Sequence, residues 1–374
     1  MTPTGRGLPV ASFAVFASVS LLVLAKYASR TGVPAPALCA AYVGVVAVGA
    51  FAARWTTRIG PRAGRVAFWL VVACSVVVYL VALARIPPAS LNVDRWSAIT
   101  SFNDRLLDGQ FPYEAHTHLG SRVSGLPLVF ALGLPFQLAG DVGYLQVFFI
   151  VAFAAVCWNR WGRRSGLLWP LLLFVTSPAV AWEVAVRSDL ITNAIVATMF
   201  LFLCDRWREN QTTGRAAVLG VLAGLVASTR LVMLLPLVIG TVGFFDRRDV
   251  WRAAVMAGAG LAAFAGMLAP FVVWEPRLFL RYNPLAWQAG LTSPWVPAAA
   301  AVTAVAAGRW AGGLPARCGA AGLIIAGSVL AAFALTASSA GVERALVGNL
   351  FDISYFDLAL PFLVVPLFAA YGDR

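Results

Sequence analysis

The stretch VAFWLVVACSVVVYLVALA, from Val66 to Ala84, decides the fold class of this chain. It contains no charged residue and approaches the roughly 20 apolar residues that a helix needs to cross a bilayer. Runs of similar character recur from one end of the chain to the other. We predict about twelve transmembrane helices, which cover 66–84 and also 9–25, 36–53, 142–158, 166–182, 190–204, 215–229, 231–245, 253–274, 294–309, 317–337 and 354–371.

The composition excludes an ordinary soluble domain. Of the 374 residues, 60% are hydrophobic and 12% are charged, and the mean hydropathy is +0.82. Soluble domains carry about 25% charged residues, so this chain lacks the charges needed to cover a water-facing surface. The five cysteines are scattered and form no CxxC pair, which predicts small core side chains and no disulfide framework. We therefore predict an all-α polytopic membrane protein.

The distribution of arginine indicates how the helices are oriented. A pI of about 10.3 indicates topology here rather than nucleic-acid binding, because Lys and Arg of membrane proteins collect in cytoplasmic loops. The short segment 126–139 contains two prolines, so we predict an interfacial or re-entrant piece there. With both termini inside, the formal charge of +12 falls on the cytoplasmic side, whose basic loops are then 54–65, 160–164, 206–215, 247–252 and 309–317.

We predict one transmembrane domain over residues 1–374, without a clear internal repeat. The first apolar run follows Arg6 but lacks a convincing cleavage site before Lys26, so we expect it to be retained as a helix. Lys26 is the only lysine among many arginines, which favours a bacterial chain and hence the plasma or inner membrane. The parts of the domain are N-terminal spans (1–85), an outer loop with amphipathic and re-entrant segments (86–141), middle spans (142–245) and C-terminal spans (246–374).

The longest outer loop contains the first candidate for chemistry, Asp94. This residue comes soon after the third predicted span and should lie near the membrane surface. A carboxylate there can act as a general base or bind a divalent cation, although a solvated loop acid is the simpler alternative. Residues 95–107 read as an amphipathic helix lying on the membrane, with Trp96 and Phe102 as interfacial anchors.

A second polar cluster joins two spans on the same predicted face. The segment WEVAVRSD, from Trp182 to Asp189, contains Glu183, Arg187 and Asp189. Charged groups at the end of a helix pair are costly to bury in lipid, so they should face a wet cavity. The alternative is a local ion pair of Arg187 with Asp189 or Glu183.

Arg230 stands between two apolar runs with almost no loop around it. A guanidinium in this position can bind a phosphate group through two parallel hydrogen bonds. The alternative is an arginine that reaches along the apolar surface to the membrane interface.

Four further side chains are weaker candidates. His116 and His118 form an HxH pair that could bind a metal ion, or could belong to a flexible loop. Tyr355 and Asp357 open the last span and could line the same cavity, or could be an interfacial tyrosine and a helix N-terminal acid.

Together these segments resemble the GT-C class of membrane glycosyltransferases, in particular the group with protein mannosyltransferases and aminoarabinose transferases. The resemblance covers about residues 85–245. It rests on the order of an early loop Asp94, the segment DGQFPY ending at Tyr113, the run LPLVF…LPFQLAG from Leu126, the pair TSP…VRSD ending at Asp189, and GLVASTR ending at Arg230. These are similar to the class motifs GxxPY, PPLYYWLLAL…LFG, TSP…ARxD and GLxxxTK…P.

The resemblance implies a function and a role for each residue. The chain would transfer a hexosyl or pentosyl group from a polyprenyl-phosphate donor to a hydroxyl of a glycan, lipid or protein at the outer face, with inversion. Asp94 would be the catalytic base, Arg230 would contact the lipid phosphate, and Asp189 would be the second acid. Glu183 and Arg187 would lie near the donor phosphate, and Mg²⁺ or Mn²⁺ use, through Asp94 and Asp189, stays open. Weaker cavity-lining positions are Tyr113, His116, His118, Tyr355 and Asp357.

Two other functional classes fit the sequence. A transporter or lipid flippase also places charges in an outward cavity, but it should show inverted repeats and polar groups near the membrane midplane. The polar groups here lie at the ends of spans, which favours an interfacial enzyme. A non-catalytic assembly subunit is the third possibility.

Overall fold

A computed structural model describes residues 7–28, 32–56, 60–162, 165–242, 249–348 and 350–372. These residues fold into helices and contain no β-strand. The α-helices are α1 (Gly7–Tyr27), α2 (Ala35–Thr56), α3 (Pro61–Arg85), α4 (Arg95–Leu107), α5 (Pro127–Leu138), α6 (Tyr144–Trp161), α7 (Leu168–Val175), α8 (Pro178–Ala185), α9 (Leu190–Trp207), α10 (Thr213–Ala227), α11 (Leu234–Val242), α12 (Val250–Trp274), α13 (Pro276–Arg281), α14 (Pro284–Ala289), α15 (Trp295–Trp310), α16 (Leu314–Ala340), α17 (Val342–Leu346) and α18 (Leu360–Gly372).

The helices confirm an all-α, multi-pass membrane architecture. Within the described ranges, 8 helices are long and apolar enough to cross a membrane: α1, α2, α3, α6, α9, α12, α16 and the continuous segment Ile353–Gly372 that ends in α18. The pair α7 and α8 forms a ninth candidate that bends by 47°. Within the described residues, every predicted run contains helix, but α10, α11 and α15 are shorter than a full crossing. The count of about twelve spans therefore stays a prediction.

Part of the orientation argument falls on residues without a structural description. Both chain ends, 1–6 and 373–374, lie outside the described residues, as do 57–59, 163–164 and 247–248 of the basic loops. The assignment of these loops to the cytoplasm stays a prediction. Segment 126–139, predicted to be interfacial or re-entrant, contains the short helix α5.

The last helical segment forms the centre of the bundle. Its residues from Leu358 to Phe368 are almost fully buried, and α1, α7, α9 and α16 pack around it. A helix that is apolar on all sides belongs in such an interior position. On the periphery, α10 and α12 pack closely because Gly220 and Gly224 of α10 leave room for the backbone of α12.

The amphipathic segment is helical, but the predicted role of Phe102 as a membrane anchor is wrong. In α4, Phe102 is 1% exposed and stacks on Phe130 of α5, with ring centroids 3.7 Å apart. Tyr113 and Phe271 of α12 pack around the same ring. This aromatic cluster satisfies the apolar side of α4 within the protein, so Phe102 is a core residue rather than a membrane anchor.

Candidate functional site

A cavity of about 180 Å³ lies where the ends of several distant elements meet. Asp94 precedes α4, Asp189 precedes α9, Arg230 follows α10, and Tyr355 precedes α18. All four were predicted to share one face, and all four line the cavity. Sequence reasoning missed other lining residues, among them Thr117, Arg122, Trp287 and Asp352, and did not give Arg95 a role.

Arg230 and Asp189 form a bidentate ion pair. Nε and Nη2 of Arg230 donate to Oδ2 and Oδ1 of Asp189, each at 2.8 Å, and Asn193 donates to Oδ2 at 2.6 Å. Burial alone would raise the pKa of Asp189, but the charge and hydrogen bonds of Arg230 outweigh it and lower the pKa below its usual value. The predicted alternative, an Arg187–Asp189 pair, is wrong because the Asp189 carboxylate faces Arg230.

Arg95 connects three segments at the base of the cavity. Its Nη1 donates to Ser188 at 3.0 Å and to Ser354 at 2.8 Å, and its Nη2 donates to Asp352. The guanidinium carbon lies 5.1 Å from the ring centroid of Tyr355, a cation–π distance. Arg95 is only 9% exposed. Its carboxylate partner Asp352 is far away in sequence, so no local pattern could have predicted the pair.

Asp94 differs from the other carboxylates of the cavity. The hydroxyl of Thr117 donates to its Oδ2 at 2.9 Å, and no Lys, Arg or His within the described ranges forms an ion pair with it. Asp189 and Asp352, by contrast, each face an arginine. Among the carboxylates that line the cavity, Asp94 is therefore the one without an arginine partner within the described ranges.

The hairpin turn 116–122 holds the partner of Asp94. His116 and Arg122 form an isolated antiparallel bridge, and the backbone N–H of Thr117 donates to the carbonyl of Ser121 at 2.9 Å. The Thr117 hydroxyl also accepts from the Ser121 N–H at 3.1 Å. This turn gives Thr117 a defined position beside Asp94 and places Arg122 at the cavity wall.

Glu183 and Asp357 lie beneath the cavity rather than in its wall. Both are 0% exposed, and neither carboxyl group finds a hydrogen-bond donor within the described part of the chain. The two side chains interact with each other, and Glu183 Oε1 lies 3.9 Å from Nη1 of Arg95. A buried acid pair of this kind is costly unless a proton or a cation compensates its charge.

Arg187 makes its contacts away from the cavity. Its Nε lies 3.2 Å from both carboxylate oxygens of Asp141, its Nη2 lies 3.0 Å from Oδ2, and it also donates to the carbonyls of Leu83 and Ala185. The residue adopts φ 55°, a left-handed conformation that is uncommon for a side chain of this size. Arg187 therefore ties α3 to the α8–α9 turn. The second predicted alternative, an Arg187–Glu183 pair, is also wrong.

The remaining candidates do not line the cavity. Tyr113 is fully buried in the aromatic cluster and its hydroxyl has no hydrogen-bond partner within the described ranges. Burial raises its pKa well above the usual value. Both histidines are exposed, and the ring of His118 packs near Trp96 with its Nδ1 2.8 Å from the Ser97 hydroxyl. These contacts give His118 a structural role at the start of α4.

Whether Asp94 and Asp189 bind a divalent cation stays a prediction. The described residues contain no group of three or more His, Cys, Asp or Glu side chains suited to hold a metal ion. Both oxygens of Asp189 already accept from Arg230, which leaves Asp94 as a single available carboxylate. Mg²⁺ is commonly held by one or two carboxylates together with substrate phosphates, so metal use stays open, and no step of the proposed reaction requires a metal.

Comparison of the chain with protein-family models, with curated proteins and with solved structures finds no match. The chemistry of the cavity residues therefore carries the functional argument.

Proposed function

We propose that this chain is a GT-C-type membrane glycosyltransferase that moves a sugar from a polyprenyl-phosphate donor to an acceptor hydroxyl. The observation that carries the proposal is the state of Asp94, a cavity carboxylate held by Thr117 and free of any cation among the described residues. A general base needs such an available lone pair at the edge of a cavity that substrate can enter. The ordered motifs of residues 85–245 support the same class.

In the proposed reaction, Asp94 Oδ accepts the proton of the acceptor hydroxyl. The acceptor oxygen uses the freed electron pair to form a bond to the anomeric carbon of the donor. The bond from that carbon to the phosphate oxygen breaks, and its electron pair goes to the polyprenyl phosphate. Attack from the side opposite the leaving group inverts the anomeric centre.

The cavity also contains positively charged side chains that can bind the leaving phosphate. Arg95, Arg122 and Arg230 all line it. In Arg230, Nε and Nη2 are held by Asp189, whereas Nη1 makes no hydrogen bond within the described ranges and remains a donor for an anion. Oriented guanidinium groups stabilise negative charge that develops on an oxygen. The polyprenyl tail would lie in the bilayer beside the bundle, with the cavity at the outer interface.

The test is sugar transfer by purified protein from a panel of polyprenyl-phosphate sugars to a panel of hydroxyl acceptors. We expect Asp94→Asn to reduce the turnover rate at least about 100-fold, in line with the loss of a general base. Asp108→Asn is the matched control because Asp108 is an exposed acid at the other end of α4, outside the cavity. Full turnover by a folded Asp94→Asn variant would rule out the mechanism.

A polytopic transporter or lipid flippase is the second candidate, and the Glu183–Asp357 pair favours it. Acidic groups buried within spans are typical of proton-coupled carriers. In liposomes, a carrier would move a labelled polyprenyl-phosphate sugar across the membrane without breaking its glycosidic bond, and Glu183→Gln would stop that movement. An enzyme would release polyprenyl phosphate without needing a proton gradient.

A further inference from the structure

Three arginines line the cavity, but two of them are already paired with a carboxylate. Arg230 is held by Asp189 and Arg95 by Asp352. Arg122 has no acidic partner within the described part of the chain. With Asp94 also unpaired, the cavity contains one carboxylate and one guanidinium that have no ion-pair partner within the described ranges.

We propose that Arg122, more than Arg230, binds the phosphate group of the lipid-linked donor. This inference rests on the proposed function and names the residue that binds the charged part of its substrate. The resemblance assigned that part to Arg230, a residue that is 6% exposed and whose Nε and Nη2 already bind Asp189. Arg122 is exposed and offers all its donors.

The surroundings of Arg122 hold it in place without neutralising it. Its guanidinium carbon lies 5.2 Å from the ring centroid of Tyr282, so the planar group is supported by an aromatic face. The backbone bridge to His116 holds the other side of the residue in the hairpin turn. A guanidinium supported in this way loses less conformational entropy when it binds an anion.

One side chain joins the wall that contains Arg122 to the wall that contains Arg230. The Gln288 side chain accepts from the N–H of Leu231 at 2.8 Å and donates to the carbonyl of Ser124 at 2.6 Å. Leu231 directly follows Arg230, and Ser124 comes two residues after Arg122. Gln288 therefore connects the two backbone segments that contain these arginines, both of which line the cavity.

During the proposed reaction, negative charge moves from Asp94 to the donor phosphate, and the position of Arg122 suits this change. A polyprenyl-phosphate sugar is a phosphodiester with one negative charge, and transfer turns it into a phosphomonoester. As Asp94 takes the acceptor proton and loses its charge, one negative charge develops on the phosphate. Thr117 and Arg122 belong to the same hairpin turn, so the base and the unpaired guanidinium are positioned together. An unpaired cation beside the leaving group stabilises the charge at the moment it forms.

The experiment measures binding of radiolabelled polyprenyl phosphate and of the uncharged polyprenol to purified full-length protein in detergent. We expect the wild type to prefer the phosphate, and Arg122→Gln to weaken phosphate binding at least about tenfold while leaving polyprenol binding unchanged. Arg122→Lys should have an intermediate affinity because it keeps the charge but not the fork of donors.

Arg281→Gln is the matched control. Arg281 packs on the same Tyr282 ring, at 5.5 Å, but does not line the cavity, so its loss should leave binding of polyprenyl phosphate unchanged. Three results would overturn the proposal. Arg122→Gln could bind polyprenyl phosphate as tightly as the wild type, or Arg281→Gln could lose as much phosphate binding as Arg122→Gln. The wild type could also bind polyprenol as tightly as polyprenyl phosphate. Phosphate-dependent binding through Arg122 without any sugar transfer would instead reject the proposed function.

Discussion

The hydroxyl of Thr117 donates a hydrogen bond of 2.9 Å to Oδ2 of Asp94. Both residues line the cavity, but Asp94 comes directly before α4 and Thr117 lies in the turn 116–122. Because the same hydroxyl accepts from the Ser121 N–H, its hydrogen is directed toward the carboxylate. The second oxygen of Asp94 is left to accept a proton from substrate.

The contact between Thr117 and Asp94 predicts a rate effect. We expect Thr117→Val to lower the turnover number for sugar transfer about tenfold, with little change in binding of the donor, because the base loses its orientation. Thr117→Ser keeps the hydroxyl and should retain most of the rate. Steady-state kinetics of the three proteins measure the difference, and equal rates for Thr117→Val and wild type would show that the hydrogen bond has no part in catalysis.

The Asp189–Arg230 pair predicts a large stability effect. Removing one partner leaves a buried charge without compensation, which costs about 3–5 kcal/mol. We therefore expect Asp189→Ala and Arg230→Ala each to lower the midpoint of thermal unfolding in detergent by several degrees. The double variant should be less destabilised than the sum of the two, and strict additivity would contradict direct pairing.

The same pair predicts how stability depends on pH. The folded pKa of Asp189 is lowered, so the pair contributes stability above the unfolded pKa of about 3.9 and loses it as pH falls toward the folded value. The difference in unfolding midpoint between wild type and Asp189→Asn should therefore be full near pH 7 and shrink below about pH 4. A difference that stays constant across this window would contradict the ion pair.

Arg95 is predicted to be structurally essential at the base of the cavity. Arg95→Met removes the hydrogen bonds that Arg95 donates to Ser188, Ser354 and Asp352. We expect the free energy of unfolding to fall by about 3–5 kcal/mol. Arg105→Met is the control because Arg105 pairs with Glu114 at the surface, where an ion pair contributes about 0–1 kcal/mol. Thermal unfolding of both variants tests the contrast.

The packing of α10 on α12 predicts that one glycine cannot be replaced. A Cβ at Gly224 would overlap the carbonyl oxygen of Gly260, which belongs to backbone and cannot rotate away. We expect Gly224→Ala to destabilise the protein by about 1–3 kcal/mol through overpacking. Gly266→Ala, in α12 with open space at the Cβ position, should be neutral or slightly stabilising. Similar midpoints for the two variants would contradict the close approach.

The long apolar runs of the sequence were sufficient to predict the helices and the membrane class of this protein. They establish the helices and the membrane class, because a backbone surrounded by lipid must satisfy its hydrogen bonds within each helix. Counting crossings also grouped Asp94, Asp189, Arg230 and Tyr355 on one face, and the structure brings these four residues to one cavity. Local pattern was sufficient there because the number of crossings between two residues decides whether they share a face.

Only the tertiary structure decided which charges neutralise each other. Asp189 pairs with Arg230 rather than the nearby Arg187, which faces Asp141, and Arg95 pairs with Asp352, 257 residues away. An ion pair depends on a few ångströms of separation, and that separation follows from how α4, α9 and the segment before α18 pack. Packing also brings Arg122 and Asp352 to the cavity, which no local pattern indicated, and it leaves Asp94 and Arg122 without an ion-pair partner within the described ranges.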